Sequence, residues 1–244
     1  WASDPTRLKY SQAGVDPEQV MSTIPYEKGY AFLVRLERLV GRPAFDAFTR
    51  RYIAAHRFQT ITTEAFITLM RRELPQIFDR VDVHAWLYEP GFPDDAPAFE
   101  SALVDDVSAR LFDYQEGRLP QRRTVAGWNT AQIYLFLQYL PRVIPLEDCR
   151  AIESAFALDR TRVPYFLSHF LEIAVRSGLR EALPRAENLV ATVGRLLITR
   201  PVFQAIAETD WSRPHARPLL ERIRGRLHPI TVAELERVAA NAGA

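Results

Sequence analysis

The chain has 244 residues, 48% of them apolar and 25% charged, which suits one large folded domain or two small ones. A net charge of +1 gives no field strong enough to attract nucleic acid or an anionic membrane, so neither is an expected partner. No run approaches the ~18 consecutive apolar residues of a bilayer span, and the lone Cys149 excludes an intrachain disulfide, which suits a reducing, cytoplasmic setting.

The amino end, Trp1 to Gln19, lacks a basic start followed by an apolar run, so no signal peptide is expected. A chain that opens on Trp1 in turn-rich sequence reads as a piece cut from something longer. Helical periodicity then dominates, with no convincing strand. Tyr26, Tyr30, Leu33, Leu36 and Val40 recur at helical spacing and stop at Gly41 and Pro43. Ala44 to His56 predicts a second helix with Phe45, Phe48, Tyr52 and Ile53 on one face. The third, ending at Leu74, takes Thr62 or Thr63 as its cap, with Glu64 in the first turn. A short helical piece follows near His84 to Tyr88.

Residues 89–97, EPGFPDDAP, carry three prolines, a glycine and two aspartates, and read as a linker. Beyond them the pattern predicts short helices at about 98–117, 127–141, 145–157, 163–177, 179–183, 185–199, 201–209, 214–226 and 231–242. Pro145, Pro201 and Pro214 fall where a first helical turn accepts them. Thr231 and Glu234 have capping-box spacing. Paired helices without strands suggest a layered, solenoid-like domain.

Motifs for chemistry are sparse. The five histidines form no His-Glu-x-x-His, and one cysteine cannot build a thiolate cluster, so no metal ligand is expected from this chain. His169 and Glu172 share a helix face, which reads as a helix–helix contact. There is no Gly-rich phosphate loop and no Gly-x-Ser-x-Gly elbow. Arginine far outnumbers lysine, whose only copies are Lys9 and Lys28, and this reads as codon preference rather than phosphate chemistry.

Pro25-Tyr26-Glu27-Lys28-Gly29 is the unusual stretch. Pro25 presets a first helical turn, whereas Gly29 costs about 1 kcal/mol against Ala inside a helix. Either something approaches the backbone at Gly29, or the glycine is a relic. Tyr26 is either a half-buried packing aromatic or a residue placed for chemistry.

The segment DPEQVMSTIPYEKGYAFLVRLERLVGRPAF resembles the leukotriene A4 hydrolase branch of the gluzincin zinc aminopeptidases, as do ITTEAF, AWLYEPGFP, GRLLITRPVF and LHPIT further on. The likeness runs from about Asp16 to Val232. It implies a mostly α chain in which residues 1–88 are the helical tail of a thermolysin-like catalytic domain. Residues 98–244 would be an α-α superhelix of armadillo or HEAT type. It also implies that the zinc-binding half precedes this region, so that zinc is the cofactor of the whole protein and this chain alone is inactive. The partners implied are peptide substrates and the remainder of the catalytic domain.

Three residues carry over from the family. Tyr26 matches the tyrosine that donates to the tetrahedral oxyanion beside zinc; a phenol is protonated at neutral pH and can donate. Glu18 matches an acidic residue at the end of the substrate pocket, and can also be read as a solvated loop carboxylate. Arg195 matches the arginine that grips the substrate's free carboxylate, and can also be read as a solvated surface arginine. Two departures accompany them. Leu197 replaces a family lysine, and on a wheel of residues 186–199 it lies on the apolar face with Leu189, Val193 and Leu196. Met21 replaces a pocket tyrosine, which argues against leukotriene chemistry. The expected function is peptide hydrolysis from the amino terminus. The rivals are a non-catalytic helical interaction module and an epoxide hydrolase acting on a lipid.

Overall fold

In the computed structural model, described here for residues 6–11, 13–14 and 22–242, every regular element is a helix. The chain forms two compact units, Trp1–Phe99 and Glu100–Ala244, each with its own apolar core.

The first unit begins with α1 (Ile24–Val40), where Pro25 occupies the first turn and Glu27 complements the positive end of the helix dipole. Gly41 ends it at φ 82°, a backbone region that favours glycine, and its N–H donates to the Glu37 carbonyl at 2.8 Å. The helix α2 (Arg42–His56) follows at once, then α3 (Thr63–Glu73). Thr62 is the cap of α3: its hydroxyl accepts from the Ala65 N–H at 3.2 Å. A 3-10 turn (Pro75–Ile77) leads to α4 (Val83–Tyr88), capped by Asp82 through the Ala85 N–H at 2.9 Å. Phe32, Leu36, Phe48, Met70, Ile77 and Trp86 make the core.

The buried face of α1 is not the expected stripe. Lys28, Ala31, Phe32 and Leu36 point inward, whereas Tyr26, Tyr30 and Leu33 are exposed. A lysine displaces the tyrosines because its ammonium finds backbone carbonyls to satisfy it, which apolarity alone does not reveal. Residues 92–99 fold back on this unit. Asp95 accepts from Arg35 Nε at 2.9 Å and from the Trp86 indole at 3.0 Å, and Phe99 stacks on Tyr30.

The second unit contains α5 (Ala102–Gln115), α6 (Arg122–Val125), α7 (Thr130–Tyr139), α8 (Leu146–Phe156) and α9 (Pro164–Arg176). A 3-10 turn (Arg180–Ala182) runs into α10 (Leu183–Thr192), followed by α11 (Leu196–Glu208), α12 (Arg213–Ile223) and α13 (Pro229–Asn241). The α5 helix packs on α7, α9 on α10 and α11, and α11 on α12 and α13, which gives the layered helical architecture expected. Phe136, Ile152, Phe170, Leu171, Val202, Phe203 and Leu235 fill its core.

The helix expected from about 98 starts at Ala102, α6 is not among those expected, and Pro145 caps α8 and is not in its first turn. Two further differences change the roles of named residues. The helix expected over 185–199 breaks at 193–195, where Val193 and Arg195 are extended and Gly194 lies between them. The next helix restarts at Leu196, so Pro201 lies inside α11 rather than opening a helix of its own. At the carboxy end, Pro229 starts α13 two residues before Thr231, and the His228 ring nitrogen Nδ1 accepts from the Ile230 N–H at 3.3 Å. The capping box of Thr231 and Glu234 does not form. Glu234 instead pairs with Arg200 at 2.7 Å and Arg237 at 2.7 Å.

Candidate functional site

Tyr26 is the third residue of α1, and its backbone N–H donates to the Thr23 carbonyl at 3.0 Å. The ring is 72% exposed, so it is no part of the core, and its hydroxyl makes no hydrogen bond to a described residue. A half-buried packing role is therefore not what the structure gives it. What holds this turn in place is Lys28, two residues on. Its side chain is only 1% exposed, and Nζ donates to the Glu89 carbonyl at 2.7 Å and approaches the Thr6 carbonyl at 3.4 Å.

Those carbonyls belong to a small backbone cage. The Lys9 N–H donates to the Leu87 carbonyl at 2.8 Å, the Gly91 N–H donates to the Thr6 hydroxyl at 2.9 Å, and the Arg7 guanidinium donates to the Tyr88 carbonyl. The segments at residues 6–9 and 87–91 are thus joined to each other and, through Lys28, to the start of α1. Sequence reasoning fixed on Tyr26 and passed over Lys28. The available signal was that one of only two lysines in the chain sits on an otherwise helical apolar stretch. Gly29 is explained less well: a Cβ there would meet only Leu8 Cδ2 at 3.9 Å, an ordinary contact, so the described residues do not require glycine.

Arg195 lies in the other unit, at the amino-terminal edge of α11. Its carbonyl accepts from the N–H groups of Ile198 and Thr199 at 2.9 and 3.1 Å. The buried Ser168 hydroxyl ties the first turn of α11 to α9 by donating to the Ile198 carbonyl at 2.8 Å. The Arg195 side chain is exposed and forms no ion pair among the described residues. Its guanidinium lies over the Tyr165 ring at 5.7 Å, and Tyr165 meets Tyr134 edge-on. Tyr134 in turn packs edge-on against His169 at 5.0 Å. Burial pushes the His169 imidazole below its usual range, with Glu172 opposing that shift, as fits a packing histidine.

Leu197 is 66% exposed, which corrects its assignment to the apolar face. The wheel assumed one helix through 186–199, but the break at 193–195 resets the helical phase, and Leu197 turns out to solvent. Tyr26 and Arg195 thus belong to different units, and Glu18 and Met21 lie outside the described residues. A cavity of about 500 Å³ beside α4 is lined by Arg71 and residues 78–84, and neither Tyr26 nor Arg195 lines it.

No three His, Cys, Asp or Glu side chains converge among the described residues, so these residues do not make a zinc site. What they offer is an unpartnered phenol on a rigidly held helix start and, separately, an unpaired guanidinium on the positive end of a helix.

These features belong to a chain whose described elements are all helices. Residues 3–86 match the Peptidase family M1 domain, and residues 128–238 match the family described as leukotriene A4 hydrolase, C-terminal. Leucine aminopeptidase 2 of Pyricularia oryzae is 30% identical over 244 residues, covering 95% of this chain and 39% of that protein. The namesake from Aspergillus fumigatus is 26% identical, covering 96% and 40%. Native leukotriene A4 hydrolase from Saccharomyces cerevisiae has the same fold, with a TM-score of 0.77 at 23% identity over 99% of this chain and 42% of that one. The yeast enzyme in complex with bestatin gives a TM-score of 0.80 at 24% identity, over 97% and 42%. Over these two segments the chain is similar to leukotriene A4 hydrolase-like members of peptidase family M1, and it corresponds to the carboxy-terminal part of its relatives. It spans about two fifths of the length of the curated relatives it matches.

Proposed function

We propose that this chain is the carboxy-terminal part of a cytoplasmic, zinc-dependent aminopeptidase that removes amino-terminal residues from short peptides. On this reading residues 1–88 complete the catalytic domain, 89–97 connect, and 98–244 form the helical domain. The metal ligands lie outside the described residues, in the remainder of the catalytic domain. The names of the relatives, leucine aminopeptidase, support peptide hydrolysis, and the single buried Cys149 suits a reducing compartment.

The observation that carries the proposal is the state of Tyr26. A phenol that packs for stability is buried, and one that binds locally has a partner; this one has neither burial nor a described partner, yet Lys28 anchors its helix turn. That is the condition of a donor held ready for an oxyanion that forms only during reaction. Arg195 supports the other end of the substrate. Its guanidinium and the positive end of α11 both favour an anion, such as a peptide's free carboxylate. Glu18 is the acidic partner for a substrate's amino end.

The test is Tyr26→Phe in the full-length protein. Loss of one oxyanion donor lowers kcat about 10²–10³-fold with KM little changed. Near-normal turnover would overturn the role.

A further inference from the structure

The turn between α5 and α6 gathers more positive charge than it neutralises. Arg110 on α5, Arg118 in the turn and Arg123 on α6 line one cavity of about 170 Å³. Asp113 is the one acid in its wall. It takes Arg110 Nη1 at 2.6 Å and Arg118 Nη2 at 2.8 Å, so a single carboxylate faces three guanidinium groups. Arg123 forms no ion pair among the described residues, and neither does its exposed neighbour Arg122. The Thr124 hydroxyl is already used, donating to the Gln121 carbonyl at 2.7 Å and accepting from its N–H at 3.2 Å.

Beneath this wall Arg110 keeps one donor unserved. Arg110 Nε is buried and has no hydrogen-bond partner, a state that burial makes unfavourable unless something else supplies an acceptor. Uncompensated charge and a cavity of small-ion size therefore coincide. The geometry also bears on the kind of anion. The Asp113 carboxylate shows what a planar acceptor does here: one oxygen takes the Arg118 fork, the other takes Arg110, and Arg123 is left without a partner among the described residues. Guanidinium groups that reach one space from a helix, a turn and a second helix suit an acceptor whose oxygens point in several directions.

We propose that this cavity binds a phosphate-type dianion, either free inorganic phosphate or the phosphoryl end of a larger ligand, held by Arg110, Arg118 and Arg123. The site is independent of the peptidase reading, since all its residues belong to the unit Glu100–Ala244. Here the arginines serve chemistry that the bias toward arginine in the whole chain conceals.

The experiment is isothermal titration of the chain with sodium phosphate at fixed ionic strength, alongside phenyl phosphate and acetate. Phosphate gives saturable one-to-one binding, and acetate binds at least tenfold more weakly. Arg123→Gln, which breaks no ion pair and so leaves the fold intact by circular dichroism, weakens phosphate at least about tenfold, as expected for a lost charge-assisted bond. Arg222→Gln, on α12 of the same unit, leaves the affinity unchanged. Phenyl phosphate binding more tightly than phosphate identifies a phosphorylated ligand, and its exclusion identifies the free ion. The proposal falls if neither phosphate saturates, if acetate matches phosphate, or if the two arginine variants behave alike.

Discussion

Replacing Lys28 by Met tests whether one buried ammonium organises the start of α1. Met keeps most of the aliphatic stem inside the core and removes only the charged donor. The bond to the Glu89 carbonyl at 2.7 Å is charge-assisted, worth about 1.5–3 kcal/mol, whereas the 3.4 Å approach to Thr6 lies at the edge of hydrogen-bond range and adds little. Relief from burying a cation works the other way. The loss outweighs that relief, because the Glu89 carbonyl stays behind without its donor, and the net effect is about 1–3 kcal/mol of destabilisation. Hydrogen exchange read by mass spectrometry resolves the first unit by itself. Amides in α1 and in residues 83–91 should exchange about 5–150-fold faster in the variant, with α9 as an internal reference. Unchanged protection in both segments would show that Lys28 is merely accommodated, and the account of how Tyr26 is held would fail with it.

Thr62→Ala should lower stability by about 1 kcal/mol in urea denaturation, and Thr63→Ala should be close to neutral, because only Thr62 caps α3. For His169, burial depresses the folded pKa below the unfolded value, so the unfolded chain binds the proton first as the pH falls. The stability is fully present above about pH 6.5 and declines below it; His169→Phe, which keeps the ring against Tyr134, should flatten that decline in melts between pH 7.5 and 5. Leu197→Lys should change the unfolding free energy measured in urea by no more than about 0.5 kcal/mol, since the side chain is already in solvent. In the full-length protein the same change should raise the kcat/KM ratio of a free-acid tripeptide to its amide, through the cation added near Arg195.

Much of the helical plan was legible because its punctuation is local. Gly41 with Pro43, Thr62 before an apolar run and Pro214 at a first turn each act through the residue's own backbone chemistry. The sequence was less informative where a partner distant in the chain decides. Lys28 is buried because Glu89, 61 residues away, offers a carbonyl. Thr231 is no cap because α13 already starts at Pro229, and Glu234 pairs with Arg200 on α11 instead. Tyr26 enters the candidate site through its family motif, since composition and spacing could not tell an exposed phenol from a packed one.

The break at 193–195 shows how one local misreading spreads into function. Leu189, Val193 and Leu196 keep a helical period across it, and Pro201 reads as a helix opening, so periodicity favoured a continuous helix followed by a second. Glycine's poor helix propensity and two extended neighbours win instead. The consequence is chemical as well as geometric. Within a continuous helix Arg195 would spend its backbone N–H and carbonyl on its own helix, and Leu197 would be core. With the break, Arg195 becomes the residue whose carbonyl starts α11, its side chain leaves the helix surface beside Tyr165, and Leu197 moves to solvent. The replacement of the family lysine by leucine then removes a charge from an exposed position instead of filling a core. On the proposed reading of Arg195 it changes how an anion is recognised there, while an exposed position leaves the packing of the helical unit alone.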